Sequence, residues 1–313
     1  MAIAERFLSE GSNVTLLARD EAELGRAQSM LQKRTGRTPS IVACDMTMAA
    51  DVESALTEAE ASYGPIDILI NNAGTIVVGP FASMDSADFS ALLQLQLHAV
   101  VNVTQNLAKR WKESGGRIAN ICSIGGKIAV PHMSTYCAAK FALAGLSQTL
   151  ATELKRDRII VTTVFPGLMR TGSPIQAVIK GDHESEYAWF ALGDTVPGLS
   201  VSAEYAAKRI LEAIRNGDNE LVFPSTMKLA ALAQSQFPEL FALAMQTAAA
   251  FFPKGQSEVR KTGAQSKDWL EQQSWYSPFR PIMEESKAKL NQVEKSDAGF
   301  NLGLEKPKPE ASA

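Results

Sequence analysis

Short apolar runs alternating with helical stretches constrain the fold of this chain more than any other feature. Residues 13–18, 41–44, 66–71, 117–122 and 159–165 are rich in Val and Ile, and turn residues or charge bound each run. Continuous runs of this kind suit strands buried on both faces. Between them, 21–33, 49–63, 86–111 and 136–154 read as helices. The alternation implies right-handed crossovers and an α/β fold with a doubly wound parallel sheet. A further helix over 203–216 stops at Gly217, a suitable residue just past a helix end, and 220–223 reads as a last strand.

Composition narrows the function classes. The 313 residues are 45% hydrophobic and 21% charged, ordinary for a soluble globular protein with a substantial core. A formal net charge of −3, without a basic run, argues against nucleic acid as a partner. Cys44, Cys122 and Cys137 form no Cys-x-x-Cys pair and read as small core residues in a reducing compartment. His98, His132 and His183 are scattered, so no metal site is expected. The N-terminus runs straight into an amphipathic helix without a signal peptide, which makes the cytoplasm the expected location.

Chemistry concentrates in Ser123, Tyr136 and Lys140. A four-residue step puts the phenol and the ammonium one turn apart on one helix face. Tyrosine in water titrates near about pH 10 and is a poor acid at neutral pH. A lysine cation nearby favours the phenolate and lowers that value. A serine hydroxyl from an adjacent strand end supplies a hydrogen bond to a substrate oxygen. The trio suits reversible proton transfer to a carbonyl.

The stretches Ile-Cys-Ser-Ile-Gly-Gly at 121–126 and Ser-Thr-Tyr-Cys-Ala-Ala-Lys at 134–140 occur with Asn-Asn-Ala-Gly at 71–74 and Pro166-Gly167. In this order and spacing they resemble the short-chain dehydrogenase/reductase family over residues 1–225. The resemblance implies a Rossmann-like fold and an oxidoreductase that interconverts a ketone or aldehyde with an alcohol. Tyr136 would be acid in reduction and base in oxidation. Lys140 would lower its pKa and bind the nicotinamide ribose, and Ser123 would polarise the carbonyl. Helix-mediated homo-oligomers are common in the family. Val-Thr-Leu-Leu-Ala-Arg-Asp at 14–20, with an apolar extension, is similar to the 3-ketosphinganine reductase branch. Residues 168–200, carrying Tyr187, Trp189 and Phe190, are expected to be a substrate lid, the alternative being a plain surface loop. The aromatic lid and apolar extension favour a hydrophobic small-molecule substrate.

Arg19 ends the first visible strand, where an arginine accepts the 2′-phosphate of NADP(H) and an acid would favour NAD(H); the alternative is a solvated charge. By resemblance, Asp45 and the Met46 backbone would contact adenine, although Asp45 also suits the cap of the next helix. Asn72, Ala73 and Gly74 would line the ribose side. Pro166, Gly167 and Thr171 complete the pattern Pro-Gly-x-x-x-Thr that holds the carboxamide and phosphates.

Two departures stand out. The chain begins at the stretch that follows the family's first strand and glycine-rich turn, so both are expected to be missing and the chain to be a truncated form. A central strand buries about five apolar side chains at about 1.5–3 kcal/mol each, comparable with a whole domain's stability of about 5–15 kcal/mol. That loss supports a rival reading, a non-catalytic binding or scaffold protein. Second, Gln96 stands where an active-site Asn is usual. Either it holds a shifted water in the relay to Lys140, or it is a plain helix residue. Beyond the domain at 1–225, residues 226–254 read as an apolar helical extension broken by Pro238. That extension suits a membrane-surface contact, a flap on the pocket or a dimer contact. Residues 255–313 read as a polar, largely disordered tail.

Overall fold

The structure is a computed structural model and describes residues 1–193, 200–277 and 280–292. The chain opens with α1 (Ala2–Ser9), β1 (Thr15–Ala18), α2 (Glu21–Thr35), β2 (Ser40–Ala43), α3 (Ala49–Tyr63) and β3 (Ile68–Asn71). Next come β4 (Val77–Val78), α4 (Ser86–Leu93), α5 (Ala99–Arg110), β5 (Gly116–Ile121), α6 (Ser134–Glu153) and β6 (Ile159–Pro166). Four elements form the lid region: β7 (Leu168–Arg170), β8 (Val178–Ile179), α7 (His183–Gly193) and β9 (Ser200–Ser202). Then follow α8 (Ala203–Asn216), β10 (Glu220–Phe223), α9 (Ser225–Gln236) and α10 (Pro238–Ala249). The last elements are β11 (Lys261–Thr262), α11 (Gly263–Ser266), α12 (Asp268–Gln272) and α13 (Arg280–Lys289).

Local chemistry sets these boundaries. The Asp20 carboxylate accepts the Glu23 N–H at 2.9 Å and starts α2. Ser202 accepts the Tyr205 N–H at 3.2 Å and starts α8, which ends at Gly217 with φ 76°, a left-handed conformation that costs glycine little. Pro238 opens α10, where a missing N–H costs nothing, and so separates it from α9.

The parallel strands β10, β6, β5 and β3 pair in that order, and β1 pairs in parallel with β2. Successive side chains of β5 go to opposite faces. Ile118 joins Val52, Leu56, Val103 and Leu107 beneath α3 and α5, whereas Ala119 and Ile121 join Phe7, Ile210 and Ile214 beneath α1 and α8. This is the doubly wound arrangement. Among the described residues, however, nothing pairs β1 with β3, and the sheet is in two pieces. All of β1 and the first three residues of β3 are only half-buried, while β6 is almost wholly buried. A cavity of about 220 Å³, lined by Phe7, Ile68, Arg117 and Ile214 among others, opens near the start of β3.

Three expectations change. The single helix over 86–111 is two, α4 and α5, joined by a wider π turn over Gln94–His98. The catalytic helix starts at Ser134, before Tyr136. The polar tail is not disordered from 255: β11 pairs with β8, α12 packs on α7, and Leu270, Tyr276 and Met283 are buried. Composition hid this because a few apolar residues, set at the right places, dock on the lid. Residues 293–313 of that tail lie outside the described residues, as do 194–199 of the lid.

Candidate active site

β5 ends at Ile121 and delivers Ser123 to the catalytic end of the sheet, where its Oγ accepts the Gly125 N–H at 3.0 Å. A Cβ placed on Gly125 would lie 3.1 Å from the Tyr136 ring and 3.4 Å from Ser123 Oγ. Phenol ring and serine hydroxyl therefore converge on one point. Lys140 Nζ lies 5.7 Å from the centre of the Tyr136 ring, as the four-residue step requires. Gly126 lets α6 approach the strand end closely, since a Cβ there would lie 2.7 Å from Cys122 Sγ and from Lys140 O. The Cys122 thiol donates to that same Lys140 carbonyl at 3.1 Å.

Lys140 is 5% exposed and donates to Ile121 O at 3.0 Å. Burial lowers its pKa to about 8. Near neutral pH it is still mainly a cation, and it forms no ion pair among the described residues. A buried positive charge without a carboxylate partner is costly, and here its field reaches Tyr136.

A buried polar chain, unforeseen in the sequence, fixes these elements together. Asn71 Nδ2 donates to Asn120 Oδ1 at 2.8 Å, and Asn120 Nδ2 donates to Ser147 Oγ at 2.9 Å. Ser147 Oγ then lies 2.6 Å from Thr163 Oγ1. The chain ties β3, β5, α6 and β6 in one line beneath the catalytic groups. Asn120, polar in an apolar strand run, was the available signal.

Gln96 sits in the π turn, fully buried, and its Nε2 donates to Thr75 O at 2.6 Å. Its Oε1 is buried without a hydrogen-bond partner among the described residues. A Cβ on Gly74 would lie 3.6 Å from Gln96 Cδ, so the amide packs against the Asn-Asn-Ala-Gly loop. Asn102, one face away, donates to Met46 O and Thr47 O, both at 3.1 Å, and pins the loop after β2. Asp45 is not the cap of α3. Its Oδ1 accepts the Thr47 N–H at 3.0 Å and hydroxyl at 2.7 Å, and Met48 takes the cap position.

The remaining expected residues lie along the same edge of the molecule. Arg19, Asn72, Ala73 and Gly74 are exposed. Pro166 ends β6 opposite Phe223, and the Gly167 N–H donates to Phe223 O at 2.7 Å. The Thr171 and Ser173 hydroxyls lie 2.7 Å apart. Lid residues Tyr187 and Phe190 are buried in a cluster that includes the flank of Tyr136. Buried Glu186 accepts the Trp189 Nε1–H at 2.7 Å and holds His132 Nδ1 at 2.7 Å. Arg170 donates to Ser200 O at 3.1 Å and to Ser200 Oγ at 2.9 Å.

A dinucleotide fits the residues at both ends of this edge. With NADP(H) bound here, the orphaned Gln96 Oε1, the exposed Gly74 backbone and the buried Lys140 cation would stand at the nicotinamide end, and Arg19 with the Met46 loop at the adenosine end. Between them runs α13. A Cβ on Gly172 would lie 2.8 Å from Lys287 N, and Asn291 Nδ2 donates to Glu23 O at 3.2 Å, so this segment bridges from beside Thr171 to the first turn of α2.

Known proteins match this arrangement. The family model described as short chain dehydrogenase matches residues 1–179. A 3-ketodihydrosphingosine reductase of Dictyostelium discoideum is 32% identical over 197 residues, covering 61% of this chain and 57% of its own length. A 3alpha-hydroxysteroid dehydrogenase of Mediterraneibacter gnavus is 32% identical over 189 residues, covering 57% of this chain and 74% of its own. A variant of the actinorhodin polyketide ketoreductase, solved with NADPH, superposes with a TM-score of 0.61 at 28% identity, over 71% of this chain and 89% of its own. The chain belongs to the short-chain dehydrogenase/reductase family and is an oxidoreductase by that membership.

Proposed function

We infer that the protein interconverts a ketone or aldehyde with an alcohol, using NADP(H) and an apolar small-molecule substrate. The convergence of the Tyr136 ring and Ser123 Oγ on Gly125, beside a buried Lys140, carries this reading. Bound NADP(H) would supply or accept the hydride at the substrate carbon. Tyr136 gives its phenolic proton to the carbonyl oxygen in reduction and takes it back in oxidation. Lys140 stabilises the phenolate that remains, and Ser123 Oγ donates to the same substrate oxygen as charge develops. Gln96 Oε1 offers a buried acceptor for a water that returns protons toward Lys140. Arg19, exposed at the end of β1, favours a 2′-phosphate, as NADPH in the related ketoreductase suggests. Aromatic residues on α7 and the lipid- and steroid-named relatives support an apolar substrate.

Tyr136→Phe is expected to lower kcat for carbonyl reduction by about 10²–10⁴-fold while thermal unfolding and NADPH affinity stay unchanged. An equally active variant would sink the reading. The broken sheet favours one rival, a non-catalytic scaffold protein, for which NADPH fluorescence titration would show no binding.

A further inference from the structure

The hairpin of α9 and α10 has no buried residue, yet it is rich in large apolar side chains. Leu229, Leu232, Phe237, Leu240 and Leu243 are 56–67% exposed, and Phe251, just beyond, is 87% exposed. Several large apolar side chains exposed together on one hairpin mark a site of contact.

Its two roots flank the active site. At one root, Met227 packs against Gly167, where a Cβ would lie 2.5 Å from Met227 Cγ. At the other, the Phe252 ring lies 4.7 Å from Trp189 of the lid and 5.0 Å from His132, four residues before Tyr136. The hairpin therefore leaves and rejoins the protein on either side of the catalytic groups.

Charge decides what covers it. Residues 225–252 contain only Lys228 and Glu239 as charged groups, so neither an acidic nor a basic partner is attracted. From 240 to 252 there is no charge on any face. A protein partner covers one helix face and leaves the opposite one in water, where charged residues ordinarily stand; beyond Glu239 in its first turn, α10 carries no charge on any face. Lipid can surround it on every side. Each helix has 12 residues, about 18 Å, against about 30 Å for a hydrocarbon core, so the hairpin can dip but not cross. No helix among the described residues is long and apolar enough to span a membrane.

We propose that α9 and α10 insert shallowly into an uncharged lipid surface and so set the mouth of the active site against the phase that holds an apolar carbonyl substrate. This rests on the oxidoreductase reading above. The test is co-sedimentation of the full chain with phosphatidylcholine vesicles, for the parent and for Leu240→Glu/Leu243→Glu. The parent should pellet with the vesicles, equally at about 0.1 and 0.5 M salt because charge plays no part. The double variant should bind at least about tenfold more weakly, since two leucines lose their burial, with an unchanged thermal melt. For a long-chain methyl ketone carried in the vesicles its KM should rise by a similar factor, while turnover of a water-soluble ketone stays at the parent level. A parent that stays in the supernatant overturns the proposal. So does a parent dimer that the double variant converts to monomer, which would make a second copy the occupant. Vesicle binding by a protein that reduces neither ketone would uphold the docking surface and sink the oxidoreductase reading instead.

Discussion

The two halves of this molecule are held together by different means. On the catalytic side, β3, β5, β6 and β10 form a continuous parallel ladder, and the line from Asn71 through Asn120 and Ser147 to Thr163 crosses beneath it. On the other side, among the described residues β1 and β2 pair only with each other, β1 is half-buried throughout, and α13 with the residues after it bridges from Gly172 to α2. The comparison separates two requirements of an oxidoreductase of this kind. Proton transfer needs a few groups fixed to within a fraction of an ångström, and buried hydrogen bonds deliver that. Dinucleotide binding draws on several strand ends along one edge, and among the described residues β1 and β3 are not paired there.

Unfolding experiments test this difference in packing most directly. Ile118→Ala, at a fully buried position of β5, should cost about 2–5 kcal/mol in denaturant unfolding. Leu17→Ala, at a half-buried position of β1, should cost about 1 kcal/mol or less. Equal losses would show that the halves are packed alike. The buried lysine gives the next largest effect. With its folded pKa lowered from 10.5 to about 8, the unfolded chain binds the extra proton between those values. Stability of the cofactor-free protein should therefore rise with pH across that window, by up to roughly 3 kcal/mol, and the penalty should be fully present below pH 8. In Lys140→Met this rise should vanish.

Gln96→Leu sharpens the account of the catalytic half. It should lower kcat about tenfold, the worth of one hydrogen bond in a relay, with KM little changed, and Gln96→Asn should restore most of the rate. An unaffected kcat would make Gln96 a packing residue only. The smallest effect concerns the other half. Removing residues 278–313 should tighten NADPH binding about threefold or more, because the form with α13 away from the edge would no longer be only a fraction of the population. Unchanged or weaker binding would show that α13 and the dinucleotide share the edge.

The alternation of the main strands and helices, the parallel doubly wound sheet, and the placing of Tyr136 and Lys140 on one helix face were fixed at the sequence level. These follow from local periodicity and spacing, which neighbouring residues fix without help from the rest of the chain. Pro238 likewise divided the apolar extension into two helices at the sequence level. Tertiary structure decided the rest. The partners of Asn120 and the surroundings of the Gln96 amide depend on residues brought from distant segments, so no local pattern announces them. The folding of residues 255–277 and 280–292 onto the lid and α2 was hidden for the same reason, since Leu270, Tyr276 and Met283 find apolar neighbours only after the chain returns. Which of the apolar residues of α9 and α10 face water was also a tertiary outcome. Hydrophobicity is a property of the residue, whereas burial is a property of what the fold places against it.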